Sequence, residues 1–164
     1  MRHRLLAFCT AILLFFSACR RQPPADPMAI DFSCRFRAQY ADMTAAGTLT
    51  RRTAGTLLLE FSEPETLNGL SADWDGETVT LHYKGLSFDV DPSKLPESAL
   101  GEQLILAFDA ALRNEGTHQA EDGTITITGG DASSPYTLVY DAKTGMPLSL
   151  SAPNVPLTVT FIAS

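Results

Sequence analysis

From residue 32 the chain alternates. Phe32, Cys34, Phe36, Ala38 and Tyr40 stand against Ser33, Arg35, Arg37 and Gln39, the period-two pattern of a strand with one apolar and one polar face. The same signal returns in Val79, Leu81 and Tyr83, then in Leu86, Phe88 and Val90, with Thr78, Thr80, His82, Ser87, Asp89 and Asp91 on the opposite side. Asn68-Gly69 and Asp75-Gly76 are pairs that accept the positive φ of tight hairpin turns, and Lys84-Gly85 is a weaker third. Residues 55–91 therefore read as consecutive antiparallel strands, one face of which is apolar and must be covered by protein or by something bound.

Residues 43–47 read as a small-residue turn, and residues 48–52 with 56–61 as a hairpin across Thr53-Ala54-Gly55. Leu57, Leu58 and Leu59 in a row predict a strand buried on both faces, and Pro64 interrupts it because proline cannot donate to a ladder. The period then changes. Leu100, Leu104, Ala107, Phe108, Ala111 and Leu112 recur at helical spacing, with Pro96 and Glu97 suited to a first turn and Gly116 beyond the end. One amphipathic helix over 97–114 has no partner helix and must lie on a sheet. Strands resume at Ile125 and Ile127, at Tyr136, Leu138 and Tyr140, at Leu148 and Leu150, and at Val155, Leu157, Val159 and Phe161. The expected fold is mainly β (α+β): an open antiparallel half-barrel of about ten strands, with one helix on its concave face.

The N-terminus changes the picture. Arg2, His3 and Arg4 precede an apolar run at 5–16 that is too short to span a bilayer, the form of a secretory signal peptide. Phe16-Ser17-Ala18-Cys19 resembles the lipobox of bacterial lipoproteins, in which the cysteine is acylated and becomes the mature N-terminus, although phenylalanine replaces the usual leucine. The expected division is a signal peptide at 1–18, lipidated Cys19 and a proline-rich tether at 19–29, and one β domain at 30–164. Removing 1–18 takes two arginines and no acids, so Lys+Arg falls from 12 to 10 against 19 Asp+Glu and the net charge becomes −9. That balance argues against nucleic acid as a partner. Membrane attachment would come from acyl chains such as palmitate, on the exocytoplasmic side of the cell envelope.

Catalytic signatures do not emerge. His82 and His118 are the only histidines after residue 18, the first on the polar face of a strand and the second in a polar loop. No G-x-S-x-G, S-x-x-K, H-E-x-x-H, C-x-x-C or phosphate loop is present. Asp73/Asp75 and Asp89/Asp91 have the spacing of a calcium loop but not its continuation. Neither a metal nor another cofactor is expected, nor is an enzyme. Cys34 falls between two phenylalanines on one strand face and reads as a small buried hydrophobe.

Phe32-x-Cys34-x-Phe36, Gly47-Thr48-Leu49, Glu60-Phe61-Ser62-Glu63-Pro64, Asp75-Gly76 and the helix after them occur in an order that resembles the lipoprotein-carrier superfamily (LolA/LolB-like). The resemblance implies an open half-barrel whose concave apolar face, lidded by helix, holds acyl chains. It also implies an arginine near the end of the second strand that holds the lid, a position shared here by Arg51 and Arg52; a solvated hairpin arginine is the other reading of each. A lipid anchor suits an acceptor or binding protein better than a soluble shuttle. Leu81, Tyr83, Phe88, Leu104 and Phe108 are the candidate cleft residues for lipid or another hydrophobic ligand, ordinary core being their alternative. Partnership with an envelope protein through a filled, ligand-free fold is the competing function; Leu67, Leu70 and Trp74 near turns would then matter.

Overall fold

A computed structural model describes residues 27–95 and 99–163. The lipobox, Cys19 and most of the expected tether lie outside these residues, as do Pro96 and Glu97.

Eleven strands form one antiparallel sheet: β1 (Phe32–Tyr40), β2 (Met43–Arg51), β3 (Leu57–Glu63), β4 (Leu70–Trp74), β5 (Val79–Tyr83), β6 (Leu86–Val90), β7 (Thr117–Glu121), β8 (Thr124–Gly129), β9 (Tyr136–Asp141), β10 (Pro147–Ala152) and β11 (Leu157–Ala163). Their order is β6-β5-β4-β3-β2-β1-β11-β10-β9-β8-β7. Two meanders, β1 to β6 and β7 to β11, are joined where β1 pairs with β11, Phe36 opposite Phe161 and Ala38 opposite Val159. The sheet does not close, so β6 and β7 are its two end strands. The helix α1 (Leu100–Leu112) is the crossover between them. It packs on β3, β8, β9 and β10, across the concave side. This is the expected open half-barrel with a packed helix.

The inward positions of β1, β2, β8, β9, β10 and β11 build the core with the helix. Cys34, Leu49, Leu104, Phe108, Ile127, Leu138, Leu150 and Val159 are all completely buried. Each large apolar side chain removed from water in this way is worth about 1.5–3 kcal/mol. At Gly47 the backbones of β2 and β3 approach so closely, beside a register shift, that an added Cβ would lie 2.0 Å from the Glu60 carbonyl oxygen.

Several expectations need correction. Residues 43–47 are not a turn but the first half of β2, paired with β1 from Met43–Tyr40 to Gly47–Phe36. Backbone pairing across the two-residue Ala41-Asp42 turn overrides the weak strand preference of small residues. Leu58 is only half-buried, between buried Leu57 and Leu59, so β3 alternates rather than being buried on both faces. His118 is in β7, the strand missing from the expected ten, paired with Ile127. Leu148 is exposed, because a bulge between Pro147 and Ser149 shifts it off the face that Leu150 shares. The helix is shorter than 97–114. Met28 is buried and Ala29 N–H donates to the Gly145 carbonyl, so these two residues belong with the folded body rather than the tether.

Gly47→Ala should destabilise the protein by roughly 1–3 kcal/mol or more, since the obstacle is backbone that cannot rotate away. Urea denaturation followed by circular dichroism would measure it, and an unchanged midpoint would contradict this packing.

Candidate functional site

Two side chains on one face of α1 fix it to the sheet. Glu102 and Asp109 are seven residues apart, two turns along the same stripe. Near the start, Trp74 Nε1–H donates to Glu102 Oε1 at 2.9 Å, and the indole lies so close over Gly101 that a Cβ there would be 2.2 Å from Cζ2. Near the end, Arg51 Nη2 donates to Asp109 Oδ1, and the Gly55 N–H reaches both carboxylate oxygens at 3.2 and 3.1 Å. Arg51 is completely buried. Its guanidinium lies 5.4 Å from the Phe108 ring centroid, and that ring meets Phe32 edge-on at 5.5 Å and Phe161 at 5.8 Å. Its Nε and Nη1 have no hydrogen-bond partner among the described residues. Parity explains which arginine points inward: Leu49 and Arg51 share the inner face of β2, whereas Arg52 lies just past the strand and is exposed.

The five expected cleft residues do not come together. Leu104 and Phe108 are consumed in the core beneath the helix, with no exposed surface. Leu81 and Tyr83 are partly exposed, and Phe88 is 54% exposed on the edge strand. Register places them on one side, Leu81 opposite Phe88 and Tyr83 opposite Leu86, as the alternation predicts. The apolar face is therefore covered at its centre and bare at the β6 edge.

An apolar pocket of about 290 Å³ lies elsewhere, against the first turn of α1. Ala38 and Tyr40 of β1, Met43 and Ala45 of β2, Phe61 of β3 and Leu157 of β11 form its floor and walls, with Ala99, Leu100 and Leu67 around them. None of the five expected residues lines it. Its sequence signal is the paired alanines: Ala38 faces Ala45 across β1 and β2 where larger side chains would fill the space. A second cavity, of about 320 Å³, lies between Glu102, Gln103 and Leu106 of the helix and the loop carrying Gly130, Asp131, Ser133 and Ser134. It is more polar, and the Asp131 carboxylate there already accepts from the Ser133 hydroxyl and from Ser134 and Ser133 N–H, which holds it below the usual carboxylate range.

The remaining titratable candidates are occupied structurally. His82 Nδ1 is 2.8 Å from Ser87 Oγ on the exposed face. Asp75 caps the β4–β5 turn through Glu77 and Thr78 N–H, Asp89 accepts from Thr80, and Asp91 accepts from Ser93 N–H. No cluster with metal-binding geometry occurs among the described residues. Cys34 is buried, and desolvation pushes its thiol up to about 11.

Arg51→Met should cost roughly 3–5 kcal/mol by leaving Asp109 half-buried without its cation, and pairing it with Asp109→Leu should recover part of the loss. Denaturant midpoints of the two single variants and the double variant decide this; a double-variant loss equal to the sum of the single losses would mean that the pair is not coupled. Alkylation of Cys34 by iodoacetamide in the native protein should stay slow from pH 7 to pH 10, because the thiolate forms only as pH approaches the raised pKa, and become rapid in urea. Fast native labelling at pH 8 would contradict its burial.

No protein-family model matches the chain, and no curated protein matches it in sequence. Among solved structures it is similar to a chain of the complex between the CwlD amidase of Clostridioides difficile and the GerS lipoprotein, at 15% identity over 80% of this chain and 84% of that one, with a TM-score of 0.50. It is also similar to a LolA superfamily protein from Nitrosomonas europaea, at 15% identity over 74% of this chain and 63% of that one, with a TM-score of 0.37. At such identity the first likeness is one of fold.

Proposed function

We propose that this protein is an envelope lipoprotein, anchored through acylated Cys19 on the exocytoplasmic side, that holds the apolar end of a lipid or similar ligand in the pocket between the start of α1 and the sheet. The observation that carries this reading is the pocket itself: about 290 Å³, walled by Ala38, Tyr40, Ala45, Phe61, Leu100 and Leu157. That volume is at the lower limit of ligand sites. It suits one chain end rather than several acyl chains, because Leu104 and Phe108 occupy the centre of the concave face. At about 0.8 kcal/mol per buried methylene, a tail of about eight carbons supplies ~6 kcal/mol before the costs of association, with no catalytic group required. The lipobox at Phe16-Ser17-Ala18-Cys19 and the resemblance in motif order to lipoprotein carriers support the same reading.

A second reading is an interaction module. The filled centre of the concave face favours it, and so does the presence of a similar fold in a complex of two proteins.

Ala45→Phe is the direct test. With the pocket in use, protein purified from its membrane should carry a ligand detectable by native mass spectrometry, and the variant should lose it by tenfold or more while keeping its fold. No ligand on the wild type, together with a variant that is simply more stable, would overturn the reading.

A further inference from the structure

The two end strands of the sheet differ. β7 (Thr-His-Gln-Ala-Glu) offers no large apolar side chain. β6 turns Leu86 and Phe88 to the concave side, 59% and 54% exposed, continuing the row of Tyr83 and Leu81. The Lys84-Gly85 turn, with φ of 50° and 83°, closes a two-residue hairpin on the Tyr83–Leu86 pair. In that geometry Leu86, Phe88 and Val90 direct their backbone groups toward β5, and Ser87 and Asp89 direct theirs outward. No proline, lysine or bulge interrupts β6, so of the usual protections of an edge it has only its shortness and the charge of Asp89.

Charge distinguishes what could dock there. On the convex face register aligns Asp73, Thr80 and Asp89, with Asp75, Glu77 and Asp91 toward the same end. Within 70–95 these five acids meet only Lys84 and Lys94, and none of the five takes part in an ion pair among the described residues. Lys84 lies at the other end of the hairpin, 5.0 Å above the Tyr83 ring.

We propose that β6 is a docking edge for an extended segment of a protein partner in which apolar and basic side chains alternate. The apolar positions would cover Leu86 and Phe88, the basic ones would meet Asp89 and its acidic neighbours, and the backbone would pair with Ser87 and Asp89, as in strand addition generally. The proposal rests on the interaction reading above and gives it a surface and a partner chemistry. A second copy of the chain suits the edge less well: antiparallel self-pairing about Phe88 sets the two Asp89 carboxylates as diagonal neighbours on one face.

The test uses the full, isotope-labelled chain in detergent micelles with two nine-residue peptides, one alternating valine and lysine and the other valine and glutamate. Amide exchange at Ser87 and Asp89 should slow at least tenfold with the lysine peptide and stay unchanged with the glutamate peptide, the effect weakening as salt rises. Asp89→Lys should reverse the preference, and Ser87→Pro should abolish protection while the far-ultraviolet spectrum stays native. No protection by either peptide, or equal protection by both, overturns the proposal. So does a dimer of the chain alone with these amides already protected, which would assign the edge to a second copy. A partner crosslinked in cells that touches a different face would leave the interaction reading standing and overturn the edge.

Discussion

A charge buried under a helix sets the terms for the rest of this fold. Arg51 is out of contact with water, and the Asp109 carboxylate on α1 is its only ionic partner among the described residues. Taking a guanidinium out of water is expensive, and the attraction repays that cost only in good geometry. A helix that slid by one turn would move the carboxylate by about 5.4 Å and leave the cation bare. The pair is therefore weak as a source of net stability and strong as a selector of one helix position. The Gly55 N–H, bonded to the same carboxylate, ties the β2–β3 turn into that choice.

Because α1 is the crossover between the two edges of an unclosed sheet, it covers the centre of the concave face and fills it with Leu104 and Phe108. On the apolar side of the sheet two places stay open around it: a small pocket at its first turn, and the end of the β5–β6 hairpin at Leu86 and Phe88. A single wide cleft between sheet and helix, as the chain's motif order suggests, does not form.

Much of this was legible in the sequence where one face of a strand meets core and the other meets water. β1, β9 and β11 alternate cleanly for that reason, whereas β6 keeps the alternation although both its faces are largely exposed. The failures have equally physical causes. β7 has no large apolar side chain to bury, so nothing selects alternation in Thr-His-Gln-Ala-Glu, and pairing with β8 sets it as a strand. The start of β2 is built from small residues whose strand preference is weak, and its pairing with β1 decides its state. A bulge reverses the parity of Leu148 without leaving a mark in the local pattern. For the site, periodicity correctly assigned Leu81, Phe88, Leu104 and Phe108 to apolar faces, but it carries no information on how far along a sheet a helix extends. Parity did hold one answer, since Arg51 follows Leu49 on the inner face and Arg52 does not.

The seat of Met28 gives the molecule a direction. Ala29 is bonded to Gly145 at the Phe32 end of β1, while the apolar pocket opens beside Tyr40 and Met43 at the other end. Nine residues of strand, at about 3.3 Å each, separate the two by close to 30 Å. On the proposed reading, the chain would enter the fold at the base of β1, and a ligand would enter at the opposite end of that strand.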